Sequence, residues 1–239
     1  MLNKSTIAGA IGALLFAAMP ASAVVKIATY TGTFYDGYDT TGVFGTANTG
    51  LAGVGYVVTF TYDPSLGIRS TVAGYSDSSR GGVGFGYPGK SPVITSAITV
   101  NGTTKLLAGG YLGLVQTSVN GIKHAAEYSY NDGVDYAFKQ ISIYNYPVGA
   151  PTSLDQNFGP VAATGGWGSF AWYQTKVNPG AGPATDSAYA DFNYDTVYSV
   201  SDLLPSGGVP EPANWALMVA GLGMIGGAMR RRAAIAASA

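Results

Sequence analysis

Between Val54 and Tyr62, apolar side chains take every second position: Val54, Tyr56, Val58, Phe60 and Tyr62, with Thr59 and Thr61 between them. Strict alternation predicts a strand with one buried face. Asp63-Pro64-Ser65 closes it with turn chemistry. The same reading predicts a first strand over 24–34 and another over 93–100. The latter runs into Asn101-Gly102, a pair that tolerates the positive φ of a type I′ turn, and returns over 103–107. Residues 111–119 meet Asn120-Gly121 and return over 122–130. Asn131-Asp132-Gly133 leads into 134–146, and 168–176 and 188–201 complete the set. The Gly-, Pro- and Asp-rich stretches 75–92 and 178–186 read as loops. With no amphipathic helix between them, about eight to ten strands predict an all-β fold, an antiparallel β-sandwich.

The two ends follow other rules. Lys4 precedes a mostly apolar run over 7–19, Pro20 breaks it, and Ala21-Ser22-Ala23 supplies an A-x-A site. Residues 1–23 are therefore expected to be a signal peptide, cleaved at Ala21-Ser22-Ala23. At the other end, Pro210-Glu211-Pro212-Ala213-Asn214-Trp215-Ala216 opens a stretch without charge from Ala213 to Met229, closed by Arg230, Arg231 and Arg232. As a helix this stretch spans about 25 Å, slightly short of a ~30 Å hydrocarbon core, and snorkelling arginines make up such a difference. The positive-inside rule puts the arginines in the cytoplasm and the domain outside. What remains, 24–208, is enough for one domain, joined to the tail by Ser206-Gly207-Gly208.

The order of Pro-Glu-Pro-x-x-Trp-Ala, apolar span and arginine cluster resembles the PEP-CTERM sorting signal in its PEPxxWA variety. The resemblance covers 209–239. It implies a Gram-negative bacterium that makes exopolysaccharide, and processing of the tail by an exosortase. It also implies residence in the inner membrane, at least transiently, before release to the cell surface or matrix. The same tail is also called an ice-binding protein C-terminal domain, a label for the signal and not an activity. Asp39-Thr40-Thr41-Gly42-Val43-Phe44-Gly45, with Gly50-Leu51-Ala52-Gly53 and the strand to Asp63, resembles the opening of uncharacterised β-rich PEP-CTERM cargo domains. It brings no catalytic residues with it.

Charge and composition exclude several classes. Eight basic and twelve acidic residues fall within 24–208, a net charge of −4 without a basic cluster, so nucleic acid is not an expected partner. There is no cysteine, which removes disulfides, thiolate metal sites and cysteine nucleophiles. No cofactor and no metal are expected.

Five candidate features remain. Residues 84–91 match the phosphate-binding loop G-x-x-x-x-G-K-[ST], and the same glycines hold a G-x-G-x-x-G. The context opposes both: 77–82 is polar rather than a buried strand, Pro92 steers Ser91 from helical angles, and 93–100 alternates as a strand. Lys90 is expected to be a solvated loop residue. His124 is the only histidine. Glu127 and Asp132 are near it in sequence, but no nucleophile elbow is present. It is expected to be hydrogen-bonded within a sheet, on a face with Ala126, Tyr128 and Tyr130. Asp191, Asn193, Asp195 and Asp202 occupy calcium-loop spacing, but Thr196 replaces the required glycine, and a solvated strand face is expected instead. Trp167, Phe170, Trp172 and Tyr173 are crowded together. Phe170 and Trp172 share one strand face, Trp167 and Tyr173 the other; one pair fills the core, and the other is the candidate for stacking on sugar rings. Thr29, Thr31 and Thr33 line one face of the first strand, a single row of the ordinary exposed kind.

These observations lead to an exported, non-enzymatic component of the cell surface or exopolysaccharide matrix. Its expected partners are an exosortase, membrane lipid and exopolysaccharide. A carbohydrate-binding module is the alternative, and a hydrolase is the weakest reading because no acid/base pair is apparent.

Overall fold

Among the described residues, thirteen strands, all paired antiparallel, form one continuous sheet. The computed structural model describes residues 24–86, 89–108, 110–175 and 184–203. The expected signal peptide and sorting tail lie outside them. The strands are β1 (Lys26–Asp39), β2 (Thr49–Gly50), β3 (Gly55–Tyr62), β4 (Ile68–Val72), β5 (Ser76–Gly81), β6 (Val93–Val100) and β7 (Thr103–Ala108). They continue with β8 (Leu112–Ser118), β9 (Gly121–Asn131), β10 (Tyr136–Pro147), β11 (Phe158–Thr175), β12 (Ala184–Phe192) and β13 (Val197–Asp202).

The alternation read from the sequence holds where it was strongest. In β3, Tyr56, Val58, Phe60 and Tyr62 are buried, and Val57 is exposed. Asn101 and Gly102 have φ of 50° and 76°, both positive as a type I′ turn requires. Asp63 closes β3 by accepting from the Ser65 N–H at 2.8 Å and its hydroxyl at 2.7 Å.

Other expectations are corrected. The stretch 75–92, expected to be a loop, contains β5, and β4 precedes it. On β5 the buried side chains are polar, Asp77 and Ser79, so no hydrophobic period marks the strand. The single strand expected over 188–201 is two, β12 and β13, parted by a turn at Asn193–Thr196. That turn closes on itself: the Thr196 hydroxyl donates to the Asn193 carbonyl at 3.0 Å, and the Tyr194 N–H donates to the Asn193 side chain at 2.8 Å. The turn expected at Asn120-Gly121 falls one residue earlier, at Val119-Asn120, and Gly121 already pairs with Ser118.

Two long strands change partners along their length. β1 pairs with β13 and β3 over its first half and with β12 over its second. β11 begins against β13 and continues between β10 and β12. As a result, side chains from strands far apart in the sheet order meet in the core. The His124 ring on β9 lies 5.7 Å from Tyr30 on β1, 5.0 Å from Tyr62 on β3 and 6.0 Å from Tyr198 on β13. A second cluster joins Phe34, Tyr56, Phe170 and Phe192, with centroids 4.6–6.5 Å apart, and Phe44 closes on Phe170 at 5.4 Å. Each buried ring contributes about 1.5–3 kcal/mol of transfer free energy.

Three polar anchors tie the loops to this core. The buried Asp39 carboxylate accepts from the N–H groups of Gly42, Val43 and Phe44 at 2.7–2.9 Å. It thereby tethers the loop that plugs Val43 and Phe44 into the core. Asp77 accepts from Arg69 at 3.0 and 2.5 Å, from Thr71 at 3.0 Å and from the Leu154 N–H at 2.9 Å. This binds the β4–β5 hairpin to the loop before β11. Lys26, itself buried, reaches Asp202 at 2.6 Å and the Asp155 carbonyl at 2.7 Å. Beside it the Leu203 N–H donates to the Val25 carbonyl at 2.8 Å. The chain thus enters and leaves the folded region side by side.

Candidate functional site

β11 presents its aromatic residues to both sides of the sheet. Phe170 and Trp172 are 1% and 4% exposed. Neither can lie flat on a sugar, so they are the core pair of the four. Trp167 is 54% exposed, on the opposite face. Tyr173 shares that face but not its surroundings. Six residues along a strand is roughly 20 Å, and each ring has its own neighbour: Tyr136 lies 5.8 Å from Tyr173, and Tyr144 lies 5.9 Å from Trp167. The expected Trp167–Tyr173 platform is therefore not formed, and Trp167 stands at a cleft.

That cleft, of about 270 Å³, is lined by Tyr35, Trp167, Gly168, Ser169, Asp191, Phe192 and Tyr194. Three separate features shape it. The first is a bulge: Phe34 pairs with Phe192 and Asp36 with Asp191, so Tyr35 is an extra residue on β1. A bulge re-aims a side chain, and Tyr35 stands 69% exposed at the rim. The second is the β12–β13 turn, which carries Tyr194, 63% exposed. It is pinned to β1 at Thr33: the Asn193 N–H donates to the Thr33 carbonyl at 3.0 Å, and the Thr33 hydroxyl donates to Asp195 at 2.9 Å. The third is the seating of Trp167, met edge-on by Tyr144, with Lys123 Nζ over its ring at 5.3 Å. Asp191 and Ser169, register partners on β12 and β11, bring a carboxylate and a hydroxyl to the same opening.

The remaining candidates resolve into structure. His124 is fully buried with Ala126, whereas Tyr128 and Tyr130, further along the same face of β9, are 37% and 44% exposed. Its Nδ1 lies 2.6 Å from the Tyr30 hydroxyl, no hydrogen-bond partner meets its Nε2, and burial pushes its pKa down to about 3. Burial likewise holds the Tyr30 phenol well above its usual range. Glu127, three residues on, faces the other side of the sheet, and Asp132 is taken up by the Val134 and Asp135 N–H groups and the Tyr130 hydroxyl. No triad is assembled from them.

The calcium-spaced residues separate. Asp195 and Asn193 serve the turn, while Asp202 pairs with Lys26 at the other end of β1 from Asp191. No cluster of metal-ligating acids or histidine is present among the described residues. In the glycine loop, Val83–Phe85 forms one turn of 3-10 helix, the Ser91 hydroxyl is bonded to the backbone of Val93, and β6, a strand, follows. Tyr87 and Pro88 of this motif lie outside the described residues. The threonine row continues across the ladders to Thr59, Thr61, Thr95, Thr99 and Thr104, but Val57, Ala97 and Leu106 interrupt it.

Sequence reasoning missed Tyr35 and Tyr194 as rim residues. A signal for the first was available. Phe34, Tyr35 and Asp36 break the alternation of β1, and such a break is how a bulge is written in sequence. For Tyr194, the run Asn193-Tyr194-Asp195-Thr196 carries turn formers that the aromatic spacing of Phe192, Tyr194 and Tyr198 masked. Comparison of the chain with family models, curated proteins and solved structures found no match.

Proposed function

We propose that this chain is an exported, non-enzymatic protein of the cell surface or exopolysaccharide matrix of a Gram-negative bacterium. In this reading an exosortase sorts it through residues 209–239. The observation that carries it is the tail: Pro210-Glu211-Pro212, Trp215-Ala216, the uncharged stretch 213–229 and Arg230–Arg232 in that order. A hydrophobic stretch followed by a basic cluster can halt in a bilayer and fix orientation. The folded region is compatible with attachment at one pole, since Val25 and Leu203 are hydrogen-bonded neighbours. The ring nitrogens of His124 are sealed in the core, which disfavours a histidine-based mechanism. We read the sheet as a β-sandwich whose two layers are bridged by His124 and its aromatic neighbours.

The test is fractionation. The full chain should be found with the inner membrane in a host without exosortase and should be shortened and released in a host with one. Deleting residues 210–239 should release the domain to the periplasm in both hosts. A deletion that stays with the membrane would place the anchor elsewhere.

A second reading, the carbohydrate-binding module, is favoured by one observation: three exposed aromatic rings converge on a cleft that also holds a carboxylate and a hydroxyl.

A further inference from the structure

We infer that the cleft between Tyr35, Trp167 and Tyr194 binds a single neutral hexopyranose unit of a polysaccharide chain; this rests on the carbohydrate-binding reading. A pyranose ring has apolar C–H faces and a rim of hydroxyls. It therefore needs flat apolar surface and hydrogen-bonding groups at the edge of that surface. The cleft supplies both: the indole and two phenol rings as surface, and Asp191, Ser169 and the two phenolic hydroxyls as partners. Its ~270 Å³ lies just below the usual range of small-molecule sites, about 300–1,000 Å³, which suits one ring and not a run of them.

The rim is held before any ligand arrives. The bulge sets the backbone at Tyr35, the Thr33 bonds hold the turn that carries Tyr194, and Tyr144 and Lys123 seat the Trp167 ring. Binding then orders few side chains, and preorganisation of this kind converts contact into affinity.

Charge selects the ligand. Asp191 lines the cleft, and Asp195 lies on the same turn as Tyr194. The nearby cation Lys123 lies over the indole, reaching it from β9 on the side away from β12. Carboxylates at the mouth repel uronate or sulfated units, so a neutral sugar is the fitting class. Tyr35 lies roughly 30 Å along β1 from Lys26, away from the pole where the chain enters and leaves.

Affinity electrophoresis of the full chain in a polyoxyethylene detergent, which carries no sugar headgroup, tests this. The gels hold neutral polymers of gluco, galacto and manno configuration, or alginate as the polyuronate. At least one neutral polymer should retard the wild type, and alginate should not. Trp167→Ala and Tyr35→Ala should weaken retardation about 30-fold and about tenfold. Tyr130→Ala, an exposed aromatic at the other end of β9 from Lys123, should leave it unchanged. Asp191→Asn provides a conservative second probe and should weaken retardation with the fold intact. No retardation by any neutral polymer, retardation that survives Trp167→Ala in a folded chain, or equal retardation by alginate would overturn the assignment. Fractionation of the same variants keeps the two ideas apart. A chain that is sorted normally but binds no polymer loses only this ligand, whereas one that binds but is never exported loses only the export reading.

Discussion

The Nδ1 atom of His124 lies 2.6 Å from the phenolic oxygen of Tyr30, with both side chains fully buried. This contact ties β9 to β1 across the core and accounts for the sole histidine of the chain as a structural strut. It also makes the fold sensitive to acid. With its folded pKa near 3 and an unfolded value near 6.5, the imidazole stays neutral in the folded state and takes a proton on unfolding. The unfolded state therefore binds more protons between those two values, and stability falls as pH is lowered from about 6.5 toward 3.

The first prediction follows from that sign. The urea midpoint of residues 24–208 should drop between pH 6.5 and pH 4.5, and His124→Phe should remove this part of the drop. The slope assigned to the histidine should approach about 1.4 kcal/mol per pH unit at most. A wild type and variant with parallel pH profiles would show that the imidazole is protonated, or solvated, in the folded state.

Asp39 carries the second. Its carboxylate is the acceptor for three backbone N–H groups of the loop that inserts Val43 and Phe44. Asp39→Ala leaves these donors without their partner, at about 1–3 kcal/mol for each one that water cannot reach. Chemical denaturation should show a loss of several kcal/mol, and Asp39→Asn, which keeps one oxygen acceptor, should lose less. An Asp39→Ala variant of wild-type stability would mean that the loop is not held this way.

The third concerns Asp77. Burial alone would raise its pKa, but the hydrogen bonds from Arg69, the Leu154 N–H and Thr71 outweigh this and hold it below the usual range. The stabilisation is present above the unfolded carboxylate pKa of about 3.9 and is lost as pH falls through the lower folded value. Asp77→Ala leaves Arg69 with Asp155 alone, removes the acceptor of the Leu154 N–H and frees the loop before β11. It should destabilise by about 1–3 kcal/mol and speed proteolysis around Leu154. Cleavage at the wild-type rate would contradict the tether.

The fourth contrasts two residues on one strand. Phe170→Ala should cost about 3–5 kcal/mol, because it opens a cavity between Phe34, Phe44 and Phe192. Trp167→Ala, on the exposed face, should change stability by about 1 kcal/mol or less. Thermal denaturation of the two variants reads both, and an equal loss in each would reverse the assignment of the faces.

The contrast between these residues shows what the sequence could express. β3 and the Asn101-Gly102 hairpin were legible because hydrophobic alternation and turn chemistry are local. The opposite faces of Phe170 and Trp167 were legible for the same reason. β5 was not, because its inward residues, Asp77 and Ser79, are polar and bonded to partners distant in the chain. The cleft was legible only in Trp167. Tyr35 left a local trace in the broken alternation of Phe34, Tyr35 and Asp36, but the partners that anchor its bulge and the Tyr194 turn, Asp191 and Thr33, lie on other strands, and local spacing does not record which strands pair. Tyr173, adjacent in the sequence pattern, is separated from Trp167 by the plain length of the strand.

The central claim is about address, and intact-mass spectrometry of the protein recovered from an exosortase-bearing host tests it most directly. The account predicts a species that begins at Val24 and lacks Arg230, Arg231 and Arg232. It also predicts that removal of the exosortase leaves a membrane-bound species with the three arginines retained. Recovery of a cytoplasmic chain that still begins at Met1 and ends at Ala239, in both hosts, would contradict it.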